Sequence, residues 1–535
     1  MRWLTTGRLL AGTLLFAGAV AAASEALAQT SGGILRIYHR DTSPGASIHE
    51  EATISTLIPF MAVYNNLVMY KQDEPRNSLD SIVPDLAKSW SWNTEQTAVT
   101  FKLHEGVKWH DGQRFTANDV KCTWDMLADR TGEGKLRKNP RKGWYHNLKE
   151  VTTNGDHEVT FHLGRPQPSF MALLASGFSP VYPCHVPLGQ MRTKPIGTGP
   201  FKLVEFNPAV AIKLAKNTDY FKKGRPYLDG IDYKVISNRA TAMLAFLANE
   251  LDLTFPGEVS IPILKDLQRQ APKAVCQVHP TNVSTNLIIN HGAAPFSNPE
   301  LVKAVMLGLD RKGYNDILYQ GQATVGGAML PSPEGVWGMP PGFLDDVPGY
   351  SGTVAENREQ ARAIMRKHGY GPDNRLKIKV AVRNIALFRD PAVVVLDQLK
   401  DIWIDAEMEL IETPQYAPKM TRKDYIMSAG MVGSGLDDPD QQFYENYVCG
   451  SERNLGQYCD KELDQMIDQQ SRETDPEKRK RLVWDIDRKL QREGVRPILS
   501  HYRAATCWHP RLQGFTVMQN SLYNGWRFED IWLAK

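Results

Sequence analysis

Three segments alternate apolar and polar residues with the period of a half-buried strand. They are VTFKL at 99–103, VTFHL at 159–163 and LKIKVAV at 376–382. In each segment every second side chain is apolar, so one face of the strand can pack on a core while the other face meets solvent. The pattern therefore predicts three β-strands.

Two other segments carry the residues that begin α-helices. Asn298-Pro299-Glu300 provides a capping side chain, a proline for the first helical position and an acidic residue for the first turn, ahead of apolar residues spaced as one helical face. Asp475-Pro476-Glu477 repeats this order, and Gly494 is placed to end the helix that follows. Strands and helices alternate along the whole chain, which predicts an α/β fold with sheets covered by helices.

The stretch VKWHDGQRFTANDV at 107–120 raises the question of catalysis, because His110 stands beside Asp111. Adjacent residues cannot form a catalytic relay by themselves, since such a relay is assembled from distant segments. Thr116 begins a Thr-x-x-Asp sequence, in which the hydroxyl and the carboxylate together cap a helix. We interpret the His-Asp-Gly sequence as a tight turn before a capped helix. A secreted hydrolase that uses His110 and Asp111 is the competing hypothesis.

Composition narrows the classes of function. A chain of 535 residues is long enough for two or three domains. The formal net charge of +3, from 63 basic and 60 acidic residues that are well mixed, provides no electrostatic reason to expect a nucleic-acid partner. The sequence contains no GxxxxGK[ST] phosphate loop, no GxSxG elbow and no CxxC or HExxH metal motif. We therefore predict no catalytic residues, no metal site and no cofactor.

The first 28 residues have the features of a secretory signal peptide. Arg2 and Arg8 flank a basic start, LLAGTLLFAGAVAAA supplies an apolar segment, and Ala26-Leu27-Ala28 has the small-x-small pattern of a cleavage site. The apolar segment is shorter than the roughly 20 residues that a membrane span requires. We expect a cleaved signal peptide at 1–28 and an exported, periplasmic mature protein.

Export makes disulfides possible, because the compartment outside the cytoplasm is oxidising. Cys449 and Cys459 are close in sequence across the polar loop CGSERNLGQYC, which favours a pair between them. By elimination, the remaining pairs are Cys122 with Cys184 and Cys276 with Cys507.

Eight segments, some of which include the stretches described above, follow one another in a characteristic order. They are IVPDLAKSW (82–90), VTFKLHEGVKWHDGQRFTANDV (99–120), VTFHLGRPQP (159–168), PIGTGPFKLVEF (195–206), PYLDGIDY (226–233), AMLAFLANELDL (242–253), the NPELVKAVMLGLDR region (287–311), and DDPD (437–440) with YCDKELDQMI after it. In this order they resemble the extracytoplasmic solute-binding proteins of family 5, the dipeptide and oligopeptide receptors of ABC importers.

The resemblance implies a periplasmic-binding-protein-like fold of type II, cluster C, with two lobes around a hinge and an extra inserted domain. Ligand contacts on both lobes would stabilise a closed state that the importer recognises. Two connecting strands near 280–288 and 498–508 would form the hinge. The implied division is domain I at 30–75, 195–285 and 505–535, domain II, the insertion, at 76–194, and domain III, the closing lobe, at 286–504.

The resemblance also points to a loop that binds the amino end of a peptide. In peptide-binding members, an aspartate three residues before an Asp-Pro pair binds the α-ammonium group of the ligand. Here Asp438-Pro439 is preceded at that position by Gly435, and Asp437 could substitute only in a reshaped loop. We place Ser434, Gly435, Leu436 and Asp437 among the predicted ligand-binding residues.

The position of the arginine that binds a peptide carboxylate in dipeptide receptors falls on Ala386 here. Arg383 and Arg389 lie close by and are candidates for an acidic ligand, although each could equally be a surface arginine. The aromatic residues Trp337 and Phe388 lie in segments that line the ligand in relatives, where flat rings can stack on a ligand or fill the lobe interior.

Two residues complete the predicted site from the domain I side. They are His49 and Glu50, in the loop after the first strand, with Glu50 a candidate partner for a cationic group.

We expect a periplasmic, monomeric substrate-binding protein of an ABC importer, which captures a peptide or peptide-like solute and delivers it to permease subunits in the inner membrane. The alternative is a receptor for a non-peptide solute such as an opine, an oligosaccharide or a metal chelate.

Overall fold

The computed structural model describes residues 29–131 and 135–535. The predicted signal peptide at 1–28 lies outside the described residues. The described part is a mixed α/β structure, so the predicted fold class is confirmed. None of its helices is both long and apolar enough to cross a membrane.

Most of the strands form three larger sheets, and the others form two small ribbons. The first four-stranded sheet has the order Ile34–His39, Gly230–Val235, Ala211–Lys216 and Phe201–Asn207. The five-stranded sheet has the order Ile404–Ile411, Leu376–Arg383, Met427–Gly433, Val275–Ile289 and Ile498–Trp508. The second four-stranded sheet is antiparallel, with the order Ala87–Trp92, Ala98–Leu103, Glu158–Leu163 and Leu148–Thr153. The ribbons pair Val68–Tyr70 with Ile82–Pro84 and Leu512–Gln513 with Trp532–Leu533.

Helices pack against these sheets and connect their strands. The α-helices of the described residues are Ile54–Met61, Ala117–Leu127, Phe170–Ala175, Leu188–Met191, Arg239–Leu247, Ile261–Gln270, Pro299–Gly308, Arg311–Tyr319, Val354–Lys367, Ala386–Lys400, Thr413–Thr421, Pro439–Asn446, Lys461–Arg472 and Pro476–Arg492. Short 3-10 helices occupy Leu79–Ser81 and Lys142–Tyr145.

All three predicted strands are present, at Ala98–Leu103, Glu158–Leu163 and Leu376–Arg383. Both predicted helices are also present and begin as expected, because Asn298 accepts from the backbone N–H of Glu300 at 3.0 Å and Asp475 accepts from Glu477 at 3.0 Å. The apolar face of the first helix is buried, and burial of each such side chain contributes about 1.5–3 kcal/mol.

Strands Val275–Ile289 and Ile498–Trp508 form one long antiparallel pair. Residues 275–280 pair with 503–508, and residues 284–286 pair with 498–501. The register shifts between Pro280 and Ser284, where Asn282 has a left-handed φ of 51° that asparagine tolerates better than most residues. The pair is therefore split into two ladders by an irregular segment, at the place where a hinge is predicted. The division into domains I, II and III stays a prediction.

Candidate functional site

A cavity of about 200 Å³ lies where both long strands meet segments from distant parts of the chain. Its wall includes Val283 and Ile288 of one long strand and Tyr502 of the other. The remaining wall comes from residues within 40–54, 138–140, 383–388, 413–421, 431–433, 446–455 and 522–523, together with Arg496. No continuous stretch of sequence builds this cavity.

Aromatic side chains form much of the cavity wall. Phe388, Tyr416, Tyr502 and Tyr523 all line it, and the Tyr416 hydroxyl is held by the Ser428 hydroxyl at 2.9 Å. Gly433 makes room for one of these rings, since a Cβ there would lie 2.4 Å from the Tyr523 hydroxyl oxygen. Such a wall presents flat apolar faces with hydroxyl groups at their ends, which suits an organic solute of mixed polarity.

Arg383 lines the cavity, but its charge is already neutralised. Its guanidinium donates to the Asp41 carboxylate, and its Nε donates to the Thr413 hydroxyl at 2.6 Å. Asp41 also accepts from the Ser55 hydroxyl at 2.7 Å. Burial alone would raise the pKa of Asp41, but the Arg383 charge, together with smaller contributions from His39, Arg40 and the Ser55 hydrogen bond, outweighs burial and holds this pKa well below its usual range. The pair joins two segments that are more than 300 residues apart in the sequence.

Glu50 also lines the cavity and is likewise engaged. Its carboxylate accepts from Nε and Nη2 of Arg192 at 2.7 and 2.8 Å, and from the backbone N–H of Arg137 at 2.7 Å. Burial would raise the pKa of Glu50, yet these hydrogen bonds lower it, so the group is a carboxylate held by arginine. Its neighbour Glu51 has a raised pKa, because burial outweighs the attraction of Lys138 at 3.6 Å.

The cavity thus contains three of the predicted ligand-binding residues, Glu50, Arg383 and Phe388. His49 and Arg389 do not line it. His49 is buried with Nε2 at 2.8 Å from the Pro180 carbonyl oxygen, and burial lowers its pKa to about 3. Arg389 is exposed and donates to Asn384 at 3.1 Å.

The predicted loop at 434–437 and Trp337 lie together, but outside the cavity wall. The Trp337 indole N–H donates to the Asp437 carbonyl oxygen at 2.9 Å, and the Arg479 guanidinium lies 4.6 Å from the Trp337 ring centroid. The Ser434 hydroxyl donates to the Leu436 carbonyl oxygen, and the Gly435 carbonyl oxygen accepts from Ser521 at 2.9 Å. The assignment of these residues to ligand binding stays a prediction.

Several wall residues were not anticipated from the sequence. Arg40 is paired with Glu258 at 2.9 Å, and Arg453 with Glu445 at 2.5 Å. Arg496 is buried, with 2% of its surface exposed, and donates to the Asn446 side-chain oxygen at 3.2 Å. Burial lowers its pKa. No local sequence pattern predicts that these arginines line a cavity, because each is followed by loop or strand residues without a recognisable motif.

The six cysteines are joined in the three pairs predicted from the sequence. The Cα atoms are 4.8 Å apart for Cys449 and Cys459, 5.9 Å for Cys122 and Cys184, and 4.1 Å for Cys276 and Cys507. The first disulfide closes the loop that carries the cavity residues Glu452, Arg453 and Leu455.

His110 has a structural environment away from the cavity. Its Nε2 lies 3.0 Å from the Gly199 carbonyl oxygen, its backbone N–H donates to Gly197 at 2.9 Å, and burial lowers its pKa to about 4. Asp111 binds the His185 ring at 2.7 Å, and Asp119 accepts from the Thr116 N–H at 2.9 Å, as a cap does. These contacts fix a turn and a helix start. Across 29–131 and 135–535, no group of three or more His, Cys, Asp or Glu residues is arranged to hold a metal.

A family model for the middle part of the bacterial extracellular solute-binding proteins, family 5, matches residues 81–454. The chain belongs to this family. The match covers most of the sequence and includes the second four-stranded sheet, the cavity segments 138–140, 383–388 and 413–421, and residues 449–454 of the loop that the Cys449–Cys459 disulfide closes.

Individual proteins of known name and known structure are also similar to this family 5 protein. The oligopeptide-binding protein AppA of Bacillus subtilis (strain 168) is 26% identical over 465 residues, which are 82% of this chain and 81% of AppA. Haemophilus influenzae OppA, solved in complex with RPPGFSPFR, has a TM-score of 0.84 at 18% identity and covers 95% of this chain and 100% of that chain. MoaA of A. tumefaciens R10, solved in complex with mannopinic acid, has a TM-score of 0.81 at 20% identity with 95% and 100% coverage. The chain has the two-lobe type II fold of these proteins.

Proposed function

We propose that this protein is the periplasmic receptor of an ABC importer, which captures a peptide or peptide-like solute in the cavity and delivers it to permease subunits in the inner membrane. The observation that carries the proposal is the cavity of about 200 Å³ that both long strands and distant segments enclose. A receptor needs such a site, because contacts from both lobes are what make the closed state more stable when the solute is bound.

Contacts between the predicted domains support closure around the cavity. Arg383 of domain III donates to Asp41 of domain I. Arg239 of domain I pairs with Asp390 at 3.0 Å on the domain III side. The backbone N–H of Asn139, in domain II, donates to Glu452 of domain III at 3.2 Å. An opening of the hinge at 280–284 would break these contacts and expose the cavity.

We infer that the protein acts as a monomer, because the cavity needs no second copy of the chain.

The size of the cavity favours a compact solute. Pockets for drug-sized ligands commonly measure about 300–1,000 Å³. A cavity of about 200 Å³ lies below that range, which supports a dipeptide or a solute of similar size rather than an extended oligopeptide. Solved relatives hold both a peptide and a non-peptide solute, since OppA is solved with RPPGFSPFR and MoaA with mannopinic acid.

A non-peptide solute is the second candidate, and Gly435 favours it. Glycine there has no carboxylate to bind an α-ammonium group, and the nearby Asp437 has its pKa raised by burial to about 7. A catalytic role is disfavoured, because His110 is held by backbone groups of 197–199 and lies outside the cavity wall.

Native mass spectrometry of protein purified from its source tests the proposal. We expect one bound small molecule, which is extracted, identified and recovered chemically unchanged. Peptide masses would support the leading form, and an opine or another non-peptide mass would support the second candidate. Turnover of the extracted molecule by pure protein, or absence of any bound or added solute, would contradict a receptor.

A matched pair of variants ties that solute to the cavity. Ala52 lines the cavity, whereas Ala355 is exposed on helix Val354–Lys367. The substitution Ala52→Trp should displace the solute because the ring fills its space, while Ala355→Trp should retain it. Equal retention by both variants would place the solute elsewhere.

A further inference from the structure

Arg496 is an arginine with unused hydrogen-bonding capacity in the cavity wall. It lies between helix Pro476–Arg492 and strand Ile498–Trp508 and has only 2% of its surface exposed. A guanidinium has five N–H donors. Within the described residues, its side chain makes one hydrogen bond, from Nη1 to the Asn446 oxygen at 3.2 Å, and its Cζ lies 5.6 Å from the Tyr447 ring centroid.

The charge of Arg496 distinguishes it from the other cations of the wall. In the part of the chain that the structure describes, no carboxylate lies within 4.0 Å of it. The other cationic wall residues each have a carboxylate partner. These pairs are Arg40 with Glu258, Arg383 with Asp41, Lys138 with Glu51, and Arg453 with Glu445.

The surroundings of Arg496 add positive charge rather than remove it. Arg453 and Lys423 both lie close enough to repel its charge. Lys423 donates to the Asn454 carbonyl oxygen at 2.7 Å, and its pKa is lowered to about 8 by burial and by the nearby Arg496. The wall carboxylate Glu452, whose charge acts on Lys423, is exposed and accepts from the Asn139 N–H.

We propose that Arg496 binds a carboxylate group of the solute. A buried charge without a partner is costly, and a carboxylate would satisfy the planar guanidinium with two parallel hydrogen bonds. The inference rests on the proposed function and narrows it to solutes that carry an acid group. That group is either the C-terminus of a short peptide or the acid of a non-peptide solute, and a neutral or cationic solute would leave the arginine unpaired.

Pairs of acids and amides test the inference directly. The probes are dipeptides with free C-termini, small organic mono- and dicarboxylic acids, and the amide of each. Binding is measured by thermal shift and then by calorimetry on the full mature protein. We expect the wild type to bind an acid roughly 30-fold or more tightly than its amide, because loss of one partner of a buried charge pair commonly has an effect of that size. Binding of dipeptide acids identifies a peptide source, and binding of the other acids identifies a non-peptide source.

Variants separate the role of Arg496 from general stability. Arg496→Met should remove the preference for the acid, and Arg496→Lys should retain part of it because the charge remains. The matched control is Arg311→Met. Arg311 is a buried arginine outside the cavity that donates to backbone carbonyl oxygens of Ile498 and Gly349 at 2.8 Å, so its loss should lower stability and leave the acid preference intact.

Each outcome decides the inference. Equal binding of acid and amide by the wild type would overturn it, and this result needs no variant that might fail to fold. A preference that persists in Arg496→Met would also overturn it. If no probe and no co-purified solute binds the wild type, the proposed function fails together with the inference. If a solute binds without any preference for the acid, only the inference fails.

Discussion

Arg383 and Arg496 lie in the wall of one cavity but in opposite electrostatic situations. Arg383 is paired with Asp41, which lies just after the first strand of the chain. Among the described residues, no carboxylate lies within ion-pair distance of Arg496. The sequence suggested Arg383 because of its position in a family segment. It could not show that Asp41 neutralises it, because the two residues are far apart in the chain and meet only in the fold.

Asp437 provides a pH-dependent prediction at the same scale. Burial raises its pKa from 3.8 to about 7, so the unfolded chain loses this proton at lower pH than the folded protein does. The stability that this group contributes is therefore fully present below about pH 4 and is lost as the pH rises through about 7. We expect Asp437→Asn to be more stable than the wild type above about pH 8, by at most about 4 kcal/mol, and to match it near pH 4.

Urea unfolding at several pH values measures this difference. The control is Asp373→Asn, at an exposed carboxylate, which should follow the wild type at every pH. If Asp437→Asn runs parallel to the wild type across the whole range, the carboxyl group ionises in the folded protein as it does in the unfolded chain, and the prediction is wrong.

Among the elements, helix starts were the most predictable features. Asn298-Pro299-Glu300 and Asp475-Pro476-Glu477 both begin helices, because each cap accepts the orphan N–H groups of a first turn. Asp438-Pro439-Asp440 follows the same order and caps helix Pro439–Asn446, with Asp438 accepting from Asp440 at 2.9 Å. The sequence therefore carries a capping signal directly after the predicted ligand-binding residues 434–437.

The disulfide of the loop at 449–459 should matter for binding as well as for stability. It links residues separated by 10 positions, and closing a loop of this size contributes about 2–3 kcal/mol in the chain-entropy view. We expect Cys449→Ser with Cys459→Ser to lower the free energy of unfolding by that amount. The affinity for the extracted solute should also fall, because Arg453 and Leu455 lose their fixed positions in the wall.

A second disulfide serves as the matched control. Cys276 and Cys507 pair across neighbouring strands, and neither lines the cavity. Replacing both by serine should lower the free energy of unfolding and leave the affinity unchanged. Calorimetric titration of both double variants checks this contrast, and an equal loss of affinity in the two would refute a specific role for the loop at 449–459.

At the scale of the whole molecule, the strands and the family were accessible from the sequence, but the cavity was not. Alternation in 376–382 identifies a strand, yet it cannot show that this strand ends beside residues 40–54 or 496–502. The wall is assembled from segments that are hundreds of residues apart. Three of the ten residues predicted for ligand binding line it, and they were found through resemblance rather than through any local pattern.

We propose that the hinge lies at the break between the two ladders of the long strand pair. Pro280, Asn282 and Ser284 lie where the register shifts, and strands that lack continuous pairing can bend with little loss of hydrogen bonding. The predicted domains would then rotate about this segment, opening or closing the cavity between them.

Small-angle X-ray scattering with and without the extracted solute measures directly whether the two lobes close on the solute. We predict that the radius of gyration falls when the solute is added, because contacts from both lobes stabilise the closed state, and that the solute is recovered unchanged afterwards. An unchanged radius of gyration at saturating solute would contradict a receptor that signals its loaded state by closing.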